Sequence, residues 1–375
     1  MTSNVAVIGG GIVGASAAFY LSKDPGIDLT LFDHRQGQGT RAAAGIISPW
    51  LSRRRNKKWY RMVKDAAAFY PDFMQEVSQG KRIPQSVYKQ VGTLLFKSKP
   101  EYLEEMLEIG LKRRKKAPEI GELKILSPQD IRDLVSIYDK KAGALWASGG
   151  AKVDGSHLVD LLLEKIKGQG GQIIQEKVQI KSRTAPYHLF SPNFSGHFDK
   201  LVLANAAWLK ESLEPLGYQV DVRAQKGQLA ELQLDQATST WPVIMPEGES
   251  DIIPFDNGQV IVGASHEDDM GFNLDLDKGL VLRMVDAAQG VFSNRLSRDR
   301  VVNYRVGTRA YTPDYAPFFG PVPGLDGVVA ASGLGSTGLT AGPLVGKILY
   351  QLITLQEPSL PIEDYPVHRY IHSLD

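Results

Sequence analysis

Val5-Ala6-Val7-Ile8-Gly9-Gly10-Gly11-Ile12-Val13-Gly14-Ala15-Ser16-Ala17-Ala18-Phe19 decides the fold. Val5–Ile8 is a β-branched apolar run that reads as a strand, and the Ala-rich stretch from Ala15 has good helix propensity. Between them the glycines fall as G-x-G-x-x-G at Gly9, Gly11 and Gly14, with Ile12 and Val13 inside the pattern. Gly9 suits a tight turn, Gly11 lets the backbone approach a pyrophosphate, and Gly14 permits close helix-to-strand packing. The unpaired N–H groups at the helix N-terminus then face the phosphate. A second apolar run, Leu29–Phe32, ends at Asp33, nineteen residues after Gly14. An acid there is placed to bind ribose hydroxyls. The unit is βαβ, so a parallel sheet and a bound dinucleotide are predicted.

Further along, Trp59, Met62, Val63, Ala66, Phe69, Phe73, Met74 and Val77 recur at helical spacing, with Pro71 expected to kink or break the run. A helix is expected over Glu101–Leu111. Another follows Ser127-Pro128-Gln129-Asp130, where serine caps and proline takes the first helical position. Ser156 opens a further helix that ends at the glycines near 168–171. Short strands then alternate: Gln172–Ile174, Tyr187–Phe190, Leu201–Ala204, Gln228–Leu234, Ile252–Pro254 and Gln259–Val262. Val328–Tyr350 returns to strand, glycine turn and helix. Parallel-type elements at both ends and in the middle, with a strand-rich insertion between, predict two domains that exchange segments.

Composition narrows the class. The chain has 375 residues, 43 Lys and Arg against 42 Asp and Glu, and 43% hydrophobic residues, which fits a globular enzyme of one large or two interleaved domains. Zero cysteines exclude disulfides, thiolate zinc sites, cysteine nucleophiles and a cysteinyl flavin link. No secretory signal and no apolar run of membrane-spanning length stand out, so a cytoplasmic location is expected. The seven histidines show no metal-ligand spacing, no metal is expected, and no G-x-S-x-G elbow supports a hydrolase. His266-Glu267-Asp268-Asp269 reads as a solvated turn after a strand.

Gly333-Leu334-Gly335-Ser336-Thr337-Gly338 repeats the glycine pattern after a strand and before a helix, but no strand ending in an acid follows it. Its turn is better suited to another part of the same cofactor, where a helix N-terminus would stabilise the negative charge of a reduced flavin.

Seven collinear stretches give the chain its resemblance to the D-amino-acid oxidase superfamily of FAD-dependent amine and amino-acid oxidoreductases. They are the N-terminal VIGGGIVGASAAF with Asp33, RAAAGIISP at 41–49, VDGSHL at 153–158, KLVLANAAW at 200–208, IIPFDNGQVIVGAS at 252–265, GTRAYTPDYAPFFG at 307–320 and SGLGSTGL at 332–339. The resemblance implies a Rossmann-like FAD-binding domain over residues 1–50, 150–215 and 305–375, interleaved with an antiparallel-sheet substrate domain over 51–149 and 216–304. It implies noncovalent FAD. Gly9, Gly11, Ile12, Val13, Gly14, Asp33 and His34 would hold the adenosine and pyrophosphate. Thr40, Arg41, Ala43, Ala44 and Gly45 would line pyrophosphate and flavin ring, and Val178 would hold the adenine through its backbone. Ala204, Asn205, Trp208 and Gly307 complete the cradle, and Gly333, Gly335, Ser336, Thr337 and Gly338 would face the pyrimidine side of the ring.

Arg309 matches the arginine that clamps a substrate carboxylate in that superfamily, and a planar guanidinium suits a bidentate carboxylate on physical grounds alone. Two departures stand out. Ala206 replaces a frequent glycine, and Asp251 stands near the place where amino-acid oxidases often carry a tyrosine. The activity implied is oxidation of the Cα–N bond of an amino acid or N-substituted glycine to an imine that hydrolyses.

Two basic clusters remain: Arg53, Arg54, Arg55, Lys57 and Lys58, and Lys112, Arg113, Arg114, Lys115 and Lys116. Solvated helix faces are one reading, and nucleic-acid phosphate binding is the other. SGLGSTGLTAGP is also similar to the closing segment of the oxidase half of the enzyme that processes 5-carboxymethylaminomethyl groups on wobble uridine of tRNA. That resemblance implies a tRNA substrate, itself an N-substituted glycine, as the alternative to a free amino acid.

Overall fold

The computed structural model describes residues 2–53 and 56–374. Strand Ser3–Ile8 lies parallel to Ile27–Phe32 on one side and to Lys200–Leu203 on the other. The full order of this six-stranded sheet is Phe318–Pro321, Val328–Ser332, Lys200–Leu203, Ser3–Ile8, Ile27–Phe32, Gln172–Ile174, parallel throughout except for Phe318–Pro321. Val5, Ala6 and Val7 are all fully buried because both faces are covered, as a parallel sheet requires. Helices Ile12–Leu21, Gly155–Gly168 and Gly338–Ile353 cover one face. A small antiparallel sheet of Gln179–Ile180, Tyr187–Ser191 and Phe194–Phe198 covers the other, with Phe194 and Phe198 edge-on to Phe32.

Glycine sets the closeness of these layers. Gly9 has φ +104°, and a Cβ there would lie 2.5 Å from the Ala204 carbonyl oxygen. At Gly14 a Cβ would lie 1.8 Å from the Gly9 carbonyl oxygen, so the first helix rests directly on the turn that precedes it. The closing helix packs on the first through Gly342, against Ile12, and Gly346, against Val13 and Ser16.

The second sheet has eight strands in the order Val301–Tyr311, Arg223–Gln233, Gln259–Gly263, Ile252–Pro254, Val243–Met245, Thr93–Leu95, Ala144–Ala147, Leu123–Leu126. All neighbours are antiparallel except Val243–Met245 with Thr93–Leu95. Helix Lys278–Val291 buries Val281, Met284 and Val285 against one face. The other face looks toward the nucleotide sheet. The segment Gly37–Ala42 bridges the two bodies: Thr308 N–H donates to Gly37 O at 2.9 Å, and a Cβ on Gly39 would come within 2.6 Å of Thr308 O.

Several expectations shift in detail. Helix Lys57–Val77 runs unbroken through Pro71, which sits on its exposed side, where water can serve the backbone carbonyl that proline cannot. The helix expected at Ser156 starts at Gly155, capped by Asp154, whose carboxylate accepts the His157 N–H at 2.9 Å. The Ser127 cap forms as a reciprocal pair with Asp130. Residue 305, the expected start of the last nucleotide-binding segment, falls inside the continuous strand Val301–Tyr311, which pairs in the large sheet. Among the described residues no helix is long and apolar enough to cross a membrane.

Gly346→Ala should force the first and closing helices apart, because its Cβ would lie 2.6 Å from both Val13 O and Ser16 Cβ. A loss of about 1–3 kcal/mol is expected, read as a lowered melting temperature.

Candidate active site

A cavity of about 450 Å³ runs between the two sheets. Asp33, His34 and Val178 line one end, and Gly227, Asp251, His266 and Arg309 the other. Gly9, Gly11, Ile12, Val13, Thr40, Ala43, Ala44, Gly45, Ala204, Asn205, Trp208, Gly307, Gly333, Gly335, Ser336 and Gly338 line the wall between them.

At the first end the Thr40 hydroxyl accepts the Ile12 N–H at 3.0 Å, so the segment after Asp33 folds over the N-terminus of the first helix. Asp33 Oδ2 accepts a hydrogen bond from the Gln38 side chain, and a Cβ on Gly10 would lie 2.9 Å from its carboxyl carbon. His34 meets the edge of Trp208 at 5.3 Å. Asn205 donates to Trp208 O at 3.1 Å and Ser212 Oγ at 2.7 Å, while its Oδ1 is buried without a partner, as is Thr308 Oγ1. Both residues line the cavity. Buried polar atoms of this kind normally find partners, and a polar cofactor lying in the cradle would supply them.

At the second end the geometry is set by strand register. Arg309 lies opposite Gln225, and Gly307 opposite Gly227. The Arg309 side chain turns back over Gly227, where a Cβ would lie 2.6 Å from Nη1 and 2.8 Å from Cζ. Nη1 donates to Gln225 Oε1 at 3.1 Å and to Ser265 O at 2.7 Å, which uses both of its protons. Gln225 is oriented by its own amide donating to Asp268 Oδ1 at 2.9 Å, and Asp268 also takes Arg223. Among the described residues Nε and Nη2 have no protein partner. This edge is the fork that fits a carboxylate. Burial lowers the Arg309 pKa, with Tyr311, Glu249 and Glu267 opposing, and a guanidinium remains charged.

Beside it, His266 Nδ1 pairs with Glu249 Oε1 at 2.9 Å. Burial and then the Arg309 charge lower its pKa, so the imidazole is neutral at pH 7. Burial pushes the Asp251 carboxyl up to about 7. The Tyr311 hydroxyl accepts the Ser336 N–H at 3.0 Å, and its ring occupies the space where Gly335 would carry a side chain.

Three residues expected at the cofactor stand off the cavity lining. Arg41 reaches Gln38 Oε1 at 2.8 Å and pairs with Asp160. Thr337 turns its hydroxyl to Leu334 O at 2.7 Å. Gly14 packs behind the turn. The His266–Asp269 run is at the surface, as its polarity implies, but it is tied into the site: Glu267 accepts from Ser265 Oγ at 2.6 Å and Gln228 at 2.8 Å. Gln225 and Gly227 carry no motif, and strand pairing brings them to Arg309, while Ser265 and Asp268 join through hydrogen bonds from the segment after Gly263.

The basic clusters lie away from the cavity lining. Arg54 and Arg55 fall outside the described residues. Arg53 pairs with Glu105 at 2.7 Å, Lys58 with Asp364 at 3.0 Å and Lys112 with Glu108 at 3.8 Å. Arg113 points inward to the carbonyls of Trp50 and Ser52, and Arg114 donates to Gly121 O at 3.3 Å. Lys57, Lys115 and Lys116 are exposed.

Residues 4–352 match the family model described as FAD dependent oxidoreductase. The uncharacterized oxidoreductase YurR of Bacillus subtilis is 34% identical over 365 residues, covering 96% of this chain and 97% of the relative. The glycine oxidase of Pseudomonas aeruginosa is 24% identical over 374 residues, covering 97% and 98%. Among solved structures, iminodiacetate oxidase from Chelativorans sp. BNC1 superposes with a TM-score of 0.91 at 29% identity, covering 97% of this chain and 98% of that one.

Asp33→Ala should weaken FAD retention on the order of tenfold, the scale of one charge-assisted hydrogen bond, with the fold intact. FAD remaining per chain after dialysis checks it, and far-ultraviolet circular dichroism should be unchanged.

Proposed function

The chain belongs to the FAD dependent oxidoreductase family, and from that premise we propose that it oxidises the Cα–N bond of an α-amino acid or N-substituted glycine, with the FAD held noncovalently. The single observation that carries the reading is the free Nε and Nη2 edge of Arg309 in the cavity, its opposite edge locked by Gln225 and Ser265. A half-buried cation with an open fork in a cavity calls for an anionic partner, and a carboxylate fits it. Glycine oxidase and iminodiacetate oxidase, by their names, act on small acids in which a carboxylate and an amine share one carbon.

The chain's own contribution is position and dryness. Arg309, seated over Gly227, fixes the carboxylate and with it the direction in which the substrate's α-carbon enters the cavity. Ala44, Ile46 and Ala264 give the cavity an apolar wall, backed by the buried cluster of Leu229, Phe255 and Ile261, that limits water around the reacting carbon. FAD, when bound along the cradle, supplies the acceptor for the α-hydrogen and its electron pair. The imine left behind takes up water and separates into a carbonyl acid and an amine.

A tRNA-borne N-substituted glycine is the second reading, and it has less support. Of the described cations in the two basic clusters, Arg53, Lys58 and Lys112 are paired with acids, and Arg113 is turned inward.

Anaerobic mixing with glycine, sarcosine, iminodiacetate and D-amino acids should bleach the flavin absorbance with at least one of them, and bleaching by none would refute the reading. Acid precipitation should release the colour into the supernatant, and colour that stays with the precipitated chain would refute noncovalent binding. Arg309→Lys should lower kcat/KM by about 2–4 kcal/mol of transition-state stabilisation. Gly227→Ala, which displaces the guanidinium without changing its charge, should act in the same direction, and steady-state kinetics on the substrate that bleaches the flavin checks both.

A further inference from the structure

Among the described residues, Asp251 is the carboxyl that lines the substrate end of the cavity. Its carbonyl accepts the Gly263 N–H at 3.0 Å, which sets it opposite Gly263, and Gly263 pairs in turn with Leu229. Residues opposite one another on adjacent strands project to the same face, so Asp251 shares the cavity face with Leu229, Gly227 and Arg309. It lines the cavity, and among the described residues its carboxyl group accepts no hydrogen bond. The Asp251 carboxyl is half-buried in the cavity wall with no protein donor among the described residues, so it is open to a donor on a ligand.

The span is informative. The Arg309 guanidinium lies over Gly227. From there Asp251 is two strand spacings across and two residues along, which puts its Cα roughly 12 Å from the guanidinium at ~4.8 Å per strand and ~3.4 Å per residue. A carboxylate on the guanidinium, its α-carbon, an amine nitrogen and a hydrogen bond of ~2.9 Å to a carboxylate oxygen fill about that length.

We propose that Asp251 is a catalytic residue that receives the substrate amine, accepting a hydrogen bond from the ammonium and then its proton. In that step one N–H bond breaks, one O–H bond forms and no electrons change hands. The neutral amine left behind has the lone pair that pushes out the α-hydrogen with its electrons. The assignment rests on the amino-acid reading above and deepens it. An acceptor that titrates at about 7 suits proton transfer at physiological pH. Among the described residues the other ionisable groups at this end are Arg309, the His266–Glu249 pair, Tyr311, Glu267 and Asp268. Lys152, behind Pro254, is directed at the carbonyls of Ser239 and Pro254.

The test titrates FAD-loaded protein with 2-amino-2-methylpropanoate and 2-methylpropanoate. These acids share a carbon frame and differ in the amine, and the first has no α-hydrogen to lose. Binding is read from the flavin absorbance or by calorimetry. Above about pH 7 the unaltered protein should prefer the amine-bearing acid by on the order of tenfold or more, and the preference should fade as Asp251 becomes protonated. Asp251→Asn should bind both acids alike while keeping the parent's affinity for 2-methylpropanoate. The substitution removes a buried charge whose pKa is raised by folding. The cost of that charge grows as pH rises from the ordinary carboxylate range and is complete above about pH 7, so the melting temperature at pH 8 should hold or rise. A preference undiminished in Asp251→Asn overturns the proposal, as does a parent that shows no preference or one independent of pH. Failure of the carboxylate reading looks different: 2-methylpropanoate would then bind Arg309→Lys as tightly as the parent.

Discussion

A guanidinium half-buried in a cavity wall is held only if its protons are partnered, and the substrate end of this protein is organised around that requirement at Arg309. Half of the fork is satisfied from within, by Gln225 and the Ser265 carbonyl. Gln225 can only offer its oxygen to Arg309 because its amide nitrogen is already committed to Asp268. Asp268 in turn is held by Arg223, which also meets the Tyr315 hydroxyl. Each member fixes the next, so the orientation of the open edge is set before any ligand arrives. Such preorganisation is what lets a charged group select a partner in a poorly solvated site.

The same constraint explains where side chains are missing. Gly227 gives the guanidinium its place, and Gly307, next to Arg309's own strand neighbour Thr308, lets Ala42 approach within a distance no Cβ would allow. Through that contact the bridging segment Gly37–Ala42, which also carries the cofactor cradle onward to Gly45, is pressed against the strand that holds Arg309. Cofactor and substrate ends are thus registered to each other through backbone rather than through long, mobile side chains. At the opposite end Gly9 and Gly14 do the equivalent work between strand and helix.

The sequence carried part of this plainly. The Gly9–Gly14 turn and Asp33 are legible because their chemistry is local: strand, turn, helix and acid follow one another within one βαβ unit. Arg309 was legible only with the resemblance of Gly307-Thr308-Arg309 and its companions, since an isolated arginine carries no pattern. Gln225 and Gly227 were not legible, because they reach Arg309 through pairing of strands some eighty residues apart in the chain, and Asp268 enters only through its hydrogen bond from Gln225. The strand Val301–Tyr311 escaped for a related reason. Its polar residues, Asn303, Arg305, Thr308 and Arg309, face a cavity or a charged partner instead of alternating with an apolar core. The basic clusters were visible as charge, but the acids that pair with Arg53 and Lys58 come from distant segments.

The central claim is that Arg309 presents one prepared edge to a carboxylate. The crystal structure of the FAD-loaded protein with a bound non-oxidisable carboxylic acid tests it most directly. The account predicts the two carboxylate oxygens at about 2.7–2.9 Å from Nε and Nη2, with Nη1 still on Gln225 and the Ser265 carbonyl. A carboxylate seated elsewhere in the cavity, or an Arg309 that abandons Gln225 to reach it, would contradict the account.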